Sequence, residues 1–502
     1  MQDRLIASGQ PEIAARQRLQ APASTATPCL ASSATRYRLG LGSVGHPFRF
    51  KALLAGWARV APRSTLSQPP SPSRSDTRLN MIDPSPGLLI ILTLLGLVQA
   101  APHSLTQSQP TTNVLLERAT ARIKNTDGSV ALDRLQREFA LLSNKYERNL
   151  NNLNNMESAR DVNATAKRMQ KRAAQSLSMP SEGIWTGPVY IGTPAKKFSI
   201  YFDTGSADMT LASNKCPNSS CGSKTRYNVG QSSTGKSTGG QVETNYVDGT
   251  TTEGSVVTDT VKVGGISVTK QAIISSTSMS KTVKGLPSDG LMGLAFSELS
   301  ASGLTTLPWT QYAQDTTHSR FGLRLSNTAG ASSITFGGIS PNHISGNLTW
   351  YKVGKTKGAW SYTYWQVANS AAYINNEVVS TSRVQYILDS GTTLIVAPLD
   401  GAKKFWAKVP GSKKHDSQSW TYPCKNAPNV GFVLGGTGRQ WMVSASTFNL
   451  GHASGDKTRC LGAVVGMDLG LGSAWILGDS FLTGVYAAFD VKNRLIGLAD
   501  PK

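Results

Sequence analysis

One four-residue pattern occurs twice in the last two thirds of this sequence: an acid, a hydroxyl residue, a glycine and a second hydroxyl residue. It reads Asp-Thr-Gly-Ser at 203–206 and Asp-Ser-Gly-Thr at 389–392, each time after a short apolar stretch. At nearly equal distances beyond the quartets, an apolar-apolar-glycine element recurs at 291–293 and 476–478. A single quartet arises easily by chance, but two with matched companions indicate a duplicated unit of about 150 residues. The chain is therefore predicted to fold as two similar lobes.

The two aspartates of the repeat are predicted to meet in one cleft between the lobes. An acid at a strand end, followed by glycine in a tight turn, is held rigidly. Two such carboxyl groups face to face cannot both ionise easily, so at mildly acidic pH they share one proton. One acid and one base on either side of a water can add that water to an amide carbonyl group. Asp203 and Asp389 are therefore predicted to hydrolyse peptide bonds.

The region from 173 to 502 consists of short alternating stretches separated by Gly, Asn, Ser and Asp, which is typical of a mainly β fold. Only 16% of the residues are charged, which excludes a coiled coil or a disordered polyelectrolyte. The formal net charge is +21, but no aromatic-basic motif of a nucleic-acid module accompanies it. We interpret the lysines at 403–425 as a solvated face; a patch for acidic polymers is the alternative.

The first hundred residues have two parts. Residues 1–80 are basic and lack apolar periodicity, so we expect a disordered leader or an extension of the gene model, with a transit peptide as the alternative. Residues 81–100 have the features of a signal peptide, with an apolar run at 87–98 and small residues for cleavage near Ala100. A buried apolar helix is the other interpretation of this run. We expect translation to start at Met81.

Residues 101–172 are predicted to form a pro-segment. Apolar residues recur three or four positions apart, as on one face of a helix: Leu132, Leu135, Phe139, Leu142, Tyr146 and Leu150. The segment ends in Lys171 and Arg172, a dibasic pair of the kind that processing proteases cut. We therefore expect a helix that packs on the rest of the chain until it is removed.

Four cysteines follow the leader, which suits an exported protein in an oxidising compartment. Three connectivities are open to them. Pairing within each half of the chain favours Cys216–Cys221 and Cys424–Cys460, and free buried thiols are the alternative. Asn218 and Asn347 head Asn-x-Ser/Thr triplets, so they are candidate glycosylation sites; unused surface asparagines are the alternative.

The region after 172 resembles the pepsin-like aspartic proteases, most of all their secreted fungal members. Besides the two quartets, the resemblance rests on Tyr-Ile-Gly-Thr-Pro at 190–194, Asp-Gly-Leu-Met-Gly-Leu-Ala-Phe at 289–296 and Trp-Ile-Leu-Gly-Asp-Ser-Phe at 475–481. It implies an all-β, bilobal acid protease fold with a central cleft, preceded by the helical pro-segment. The N-terminal lobe would comprise 173–345 and the C-terminal lobe 346–502.

The resemblance also implies the roles of individual residues. Asp203 and Asp389 would activate the water, and the residues expected to support them are Thr204, Gly205, Ser206, Ser390, Gly391 and Thr392. Those expected in the flap or at the substrate are Tyr246, Asp248, Gly249, Thr250 and Thr393. Asp248 matches an aspartate with which fungal members accept lysine before the scissile bond; a role in shaping the hairpin turn is the alternative. Thr210 replaces a tryptophan that supports the flap tyrosine in many members.

These features predict a secreted, zymogen-type aspartic endopeptidase that acts at acidic pH on polypeptides, with its own pro-segment as inhibitor. Lys145 is the candidate for neutralising the two aspartates. We expect no cofactor, no metal, no nucleic acid, no membrane anchor and a monomer, released to the medium or delivered to an acidic vacuole. Two alternatives stay open: a catalytically silent member that binds proteins or glycans, and a glycosidase, which also uses paired carboxylates.

Overall fold

The computed structural model of the chain describes residues 113–118, 123–160, 184–245, 251–356, 361–380 and 383–502. The predicted leader and signal peptide lie outside the described residues. So do the dibasic pair Lys171 and Arg172 and the flap positions Tyr246, Asp248, Gly249 and Thr250. Two elements precede the duplicated region: strand β1 (Asn113–Arg118) and helix α1 (Leu132–Arg160).

Helix α1 forms where the apolar spacing predicts it. Its sequence contains neither glycine nor proline, and Asp133 in its first turn accepts a hydrogen bond of 2.8 Å from Arg137, one turn further on. The residues in the middle of its apolar face are buried, as predicted: Leu135, Phe139, Leu142 and Tyr146. Leu132 is 37% exposed because it is the first residue of the helix and lies at the edge of the packed face.

In the first part of the duplicated region, the described residues form nine strands and three short α-helices. The strands are β2 (Trp185–Ile191), β3 (Lys196–Asp203), β4 (Met209–Ala212), β5 (Lys236–Asn245), β6 (Thr251–Val263), β7 (Ile266–Ser278), β8 (Gly290–Gly293), β9 (Arg320–Arg324) and β10 (Ser332–Phe336). The helices are α2 (Asn218–Cys221), α3 (Lys281–Gly285) and α4 (Leu307–Gln314). Single 3₁₀ turns lie at Val229–Gln231 and Ser297–Leu299.

In the second part of the duplicated region, the described residues form fifteen strands, three short α-helices and a 3₁₀ turn at Pro341–His343. The strands are β11 (Ile344–Lys352), β12 (Gln366–Ile374), β13 (Glu377–Val378), β14 (Val384–Leu388), β15 (Ile395–Ala397), β16 (Lys413–Lys414), β17 (Trp420–Pro423), β18 (Val430–Val433), β19 (Gln440–Val443), β20 (Asn449–Ala453), β21 (Asp456–Gly462), β22 (Val464–Gly466), β23 (Trp475–Leu477), β24 (Tyr486–Asp490) and β25 (Leu495–Pro501). The helices are α5 (Leu399–Ala407), α6 (Ala445–Phe448) and α7 (Asp479–Leu482).

Three sheets organise these strands. The largest has thirteen strands in the order β11-β25-β24-β9-β10-β1-β2-β3-β8-β4-β7-β6-β5, so it runs from one half of the chain into the other. An eight-stranded sheet has the order β19-β18-β12-β14-β23-β15-β22, with β13 paired to β12, and a four-stranded sheet has the order β16-β17-β21-β20. The boundary predicted at 345/346 falls within β11, which pairs with β25. The predicted mainly β, bilobal fold is confirmed.

The internal repeat appears as a repeated strand arrangement. In the first half, β3 ends at Asp203 and pairs in parallel with β8, which in turn pairs antiparallel with β4. In the second half, β14 leads into Asp389 and pairs in parallel with β23, which pairs antiparallel with β15. The glycine elements noted in the sequence are therefore the strands that lie beside the two aspartate-bearing strands.

Both predicted disulfides are present. Cys216 is bonded to Cys221 and Cys424 to Cys460. Each joins cysteines from the same half of the chain, as the sequence favoured. Among the described helices, none is long and apolar enough to cross a bilayer.

Candidate active site

The two aspartate loops are locked to each other by hydroxyl groups. Thr204 donates its side-chain hydroxyl to the carbonyl of Leu388 at 3.0 Å, and Ser390 donates its own to the carbonyl of Phe202 at 3.0 Å. Each hydroxyl also accepts a hydrogen bond from the backbone N–H of the other, at 2.9 and 3.1 Å. This reciprocal set of bonds fixes the two loops as one unit, because displacing either loop breaks contacts at both.

Each aspartate carboxylate receives the same two donors from its own quartet. The backbone N–H of Gly205 and the hydroxyl of Ser206 donate to Asp203 at 2.9 and 2.6 Å. The corresponding donors to Asp389 are Gly391 N–H and the Thr392 hydroxyl, at 2.9 and 2.5 Å. Asp203 and Asp389 are buried, with 1% and 0% exposure. The site is therefore two equivalent buried carboxyl groups, each oriented by its own loop.

The side chain of Lys145, on helix α1, lies between the two carboxylates. Its ammonium donates to Asp203 Oδ1 at 2.7 Å and to both carboxylate oxygens of Asp389 at 2.8 Å. The hydroxyl of the next residue, Tyr146, donates to Asp389 Oδ2 at 2.8 Å. An ammonium has three donors and one positive charge, which suits a site of two acids. The helix thus places a cation between the two carboxylates, in contact with both.

The electrostatics of the pair are asymmetric. Burial raises the pKa of Asp203 above its ordinary value, and the negative charge of Asp389 adds to this against the attraction of Lys145. Burial also acts to raise the pKa of Asp389, but the charge of Lys145 and hydrogen bonds from Lys145 and Thr392 outweigh it and lower the pKa. Lys145 itself has a raised pKa, because its attraction to both carboxylates exceeds the cost of its burial. The two carboxyl groups are close enough to titrate as one pair, and the charge of Lys145 favours the ionised form of each.

Polar side chains of α1 occupy backbone groups on either side of the aspartates. The carboxylate of Glu138 accepts a hydrogen bond of 2.8 Å from the backbone N–H of Thr393. The side-chain amide of Asn149 donates to the carbonyl of Gly205 at 2.7 Å. Glu138, Lys145 and Asn149 are seven and four residues apart, so one face of the helix carries all three. The helix thus fills the groove on both sides of the two aspartates.

An apolar pocket lies next to Asp203. Four buried residues form its wall: Ile184, Tyr201, Leu286 and Leu291. Leu141 of α1, one helical turn before Lys145, packs against this cluster and leaves a cavity of ≈ 50 Å³. Leu141, four residues before Lys145 on α1, therefore packs against apolar side chains.

The remaining predicted positions are distributed as follows. Thr393 is buried beside the second quartet. Thr210 is half-buried in β4. Asn218 and Asn347 are exposed, and Asn218 accepts a hydrogen bond from Arg226. The predicted lysines at 403–425 are exposed, and two of them pair with acids, Lys403 with Asp400 and Lys408 with Glu377.

One group of residues in the described part of the chain has the spacing of metal ligands. Cys424, His452 and Cys460 have ligand atoms within 4.8 Å of one another. The two sulfurs are joined in a disulfide, however, so neither is a thiolate able to bind a metal. The group is a histidine packed beside a disulfide.

Helix residues that touch the site were partly missed from the sequence. Tyr146 was assigned to the apolar face but not to Asp389, and Glu138 and Asn149 were not singled out. The signal that could have found them is their spacing, because polar residues that recur on an otherwise apolar helix face must meet buried polar partners.

Comparison with known proteins agrees with this geometry. The family model for eukaryotic aspartyl protease matches residues 184–501. An aspartic protease of Phaffia rhodozyma is 31% identical over 427 residues, covering 82% of this chain and 97% of that protein. Pepsin A of Sus scrofa is 32% identical over 326 residues, covering 62% and 80%. Major aspartyl peptidase 1 of Cryptococcus neoformans is 29% identical over 358 residues, covering 66% and 72%.

The chain belongs to the eukaryotic aspartyl protease family. It is a pepsin-like aspartic endopeptidase that acts on polypeptides.

Proposed function

We propose that this protein is a secreted zymogen in which Asp203 and Asp389 are the catalytic pair and residues 101–172 are the inhibitory pro-segment. The observation that carries the proposal is the ammonium of Lys145 between the two carboxylates, at 2.7 and 2.8 Å. Without the cation, two carboxyl groups this close together would share a proton and could activate a water between them. The helix that supplies the cation keeps them from doing so.

In the proposed reaction, one carboxylate takes a proton from a bound water as the water oxygen attacks the carbonyl carbon of the peptide. The other carboxyl group protonates the carbonyl oxygen, which gives a tetrahedral intermediate with two hydroxyl groups. The carboxyl group that took the proton of the water then donates it to the amide nitrogen, while the other carboxylate takes a proton from one hydroxyl of the intermediate. The C–N bond breaks, an acid and an amine are released, and each carboxyl group regains its starting protonation state. The enzyme forms no covalent bond to the substrate, so the hydroxyls of Ser206 and Thr392 need only keep the carboxyl groups aligned.

Acid would start the process. The charge of Lys145 is held by two ionised acids, so protonating them removes the attraction that keeps α1 in the groove. Cleavage between α1 and β2, at the dibasic pair Lys171 and Arg172 or nearby, would then release the helix. We expect the mature protein in the medium or in an acidic vacuole, with Asn218 and Asn347 as candidate glycan sites.

The flap residues complete the proposal. Tyr246, Gly249 and Thr250 would close over the substrate, and the Asp248 carboxylate would accept a lysine before the scissile bond. Replacing Asp248 by threonine would then reduce cleavage after lysine and leave cleavage after apolar residues unchanged. Equal cleavage after lysine in both proteins would contradict a role in substrate binding, and shaping the hairpin turn would then be the remaining role for Asp248.

The deciding experiment is acid digestion. The full chain, expressed for secretion and acidified, should hydrolyse a denatured protein, and pepstatin, the usual inhibitor of the family, should block it. Asp203→Asn and Asp389→Asn should each abolish hydrolysis, because neither variant can share a proton across the pair. Full activity of either variant would refute the assignment. N-terminal sequencing of the product would locate the cut, and an inactive wild-type chain that still binds peptides would indicate a silent member of the family.

A further inference from the structure

Lys224 is a buried lysine that forms no ion pair with a carboxylate in the part of the chain that the structure describes. Its side chain is 9% exposed, and its ammonium donates to the carbonyl oxygen of Leu286 at 2.8 Å and to that of Ser288 at 2.6 Å. Asp289 attracts the ammonium, but its carboxylate accepts hydrogen bonds from the backbone N–H groups of Ser199 and Thr225, each at 2.8 Å. The lysine therefore serves two main-chain carbonyls.

Those carbonyls belong to the segment that forms one wall of the apolar pocket. Leu286 follows helix α3 and precedes strand β8, so it lies outside the sheet ladder. Its side chain is 7% exposed and packs with Tyr201 and Leu291. In the described part of the chain, Lys224 supplies the hydrogen bonds found at the Leu286 and Ser288 carbonyl oxygens. The position of this wall thus depends on a side chain from another part of the lobe.

The charge state of Lys224 fits this role. Burial lowers its pKa to about 8, with Asp289 opposing the shift. At the acidic pH proposed for the enzyme the amine is therefore an ammonium, with three donors for two carbonyls. A buried carbonyl that loses its hydrogen-bond partner is destabilising, so the segment would shift towards water if the ammonium were absent.

We propose that Lys224 is a positioning residue that holds Leu286 in the pocket wall and so determines how well the enzyme binds a large apolar side chain beside the scissile bond. The packing of Leu141 in the same pocket, one turn from the cation at the aspartates, shows the size of side chain that the wall receives. The inference rests on the proposed function, because the pocket matters only if Asp203 and Asp389 cut peptides.

The test uses the activated wild-type enzyme and two peptides that differ only in the residue before the scissile bond, leucine or alanine. Lys224→Met should raise KM for the leucine peptide about tenfold, change KM for the alanine peptide less than about twofold and leave kcat nearly unchanged on both. Lys284→Met is the matched control, because Lys284 is in the adjoining helix and donates to one carbonyl, that of Ser219 at 2.7 Å, outside the pocket. This control should not change the ratio of the two KM values.

A second variant keeps the test decisive if Lys224→Met does not fold. Lys224→Arg retains the charge, but its planar group cannot reach both carbonyls with the same geometry, so it should raise KM selectively for the leucine peptide by a smaller factor. An unchanged ratio of KM values in the folded variant, with wild-type hydrolysis still blocked by pepstatin, overturns this inference alone. A wild-type enzyme that cuts neither peptide overturns the proposed function and this inference with it.

Discussion

The ammonium of Lys145 lies 2.7 Å from the carboxylate of Asp203, in a site where both side chains are almost wholly removed from solvent. A cation in this position is held by charges that disappear on acidification. The same helix also carries Glu138 and Asn149, whose side chains hydrogen-bond backbone groups beside the aspartates. The contact therefore makes the docking of the proposed inhibitory helix on the proposed catalytic pair depend on pH.

Replacing Lys145 by methionine should release the helix at a pH where the wild type is still inhibited. Removing one partner of a buried ion pair costs about 3–5 kcal/mol, because the remaining charges stay buried without compensation. The measurement is the pH at which the full chain first hydrolyses a fluorogenic peptide. We expect it to rise by about one unit or more, while Glu147→Met, at an exposed position of the same helix, leaves it unchanged.

The sign of this pH dependence follows from the charge of Lys145. Burial raises the pKa of Asp203 and acts to raise that of Asp389, but Lys145 acts to lower both and prevails at Asp389. Its attraction to the two carboxylates is therefore fully present while both are ionised and is lost as falling pH protonates them. A full chain that becomes active on raising the pH, rather than on lowering it, would contradict this mechanism.

Glu138→Gln should stabilise the full chain at neutral pH. Burial raises the pKa of Glu138 above its ordinary value, against the hydrogen bond from Thr393 and the charge of Lys145. A carboxyl group whose pKa is raised in the folded protein contributes stability that is fully present below its ordinary pKa and is lost as pH rises through the raised pKa. Glutamine keeps an acceptor for Thr393 without the buried charge, so the free energy of unfolding at neutral pH should increase by about 1 kcal/mol.

Urea unfolding of the full chain measures this difference. It should be larger at neutral pH than at about pH 4, where the glutamate is already protonated. Glu138→Ala, which removes the acceptor, should destabilise at both values. A glutamine variant that is less stable than the wild type at neutral pH would mean that the ionised carboxylate strengthens the docking of the helix.

Gly391→Ala should inactivate the enzyme without unfolding it. A Cβ atom at this position would meet the Asp203 carboxylate and the ammonium of Lys145, so the Asp203 carboxylate would have to move from the position that its own loop gives it. Displacing a catalytic group by about 1 Å can cost about a hundredfold in rate, so kcat should fall by at least that much. Circular dichroism should be unchanged. Gly239→Ala serves as a control, because no atom lies within 4 Å of a Cβ placed there, although its positive φ adds some strain.

The two disulfides should differ in their contribution to stability. Cys424–Cys460 spans 36 residues and Cys216–Cys221 spans 5. Loop-closure entropy predicts a stabilisation of about 4 kcal/mol for the longer loop and about 2 kcal/mol for the shorter. Urea unfolding of the variants Cys424→Ser with Cys460→Ser, and Cys216→Ser with Cys221→Ser, measures both values. Equal losses would show that native-state packing, rather than loop length, sets the difference.

Much of the site could be predicted from the sequence because the repeat encodes it locally. The aspartates, their hydroxyl partners and the strands beside them lie in two short motifs, and each motif fixes its own loop. Lys145 could be proposed from a cation on an apolar helix face. The contacts of Glu138 with Thr393 and of Asn149 with Gly205 could not, because they join residues far apart in the chain whose pairing depends on how the helix enters the groove.

Other features were not predictable because their meaning lies entirely in long-range contacts. Strand β1 has no distinctive pattern in its six residues, and it becomes a strand through partners at Ser332–Phe336 and Trp185–Ile191. Lys224 resembles a surface lysine in the sequence. Its burial follows from the packing of one loop on another, and the adjacent residues give no sign of it.

Strand β1 lies inside the thirteen-stranded sheet, between β10 and β2, with four paired positions on one side and two on the other. Cutting the backbone downstream of α1 leaves these pairs intact, so a nicked protein should persist as two tightly associated fragments. Losing β1 would open a gap in the middle of the sheet, and the backbone groups of β10 and β2 that pair with it would lose their hydrogen-bond partners. If the proposed processing removes β1 and another segment then takes its position in the sheet, the released piece can no longer pair with β10 and β2, so the proposed activation would be irreversible.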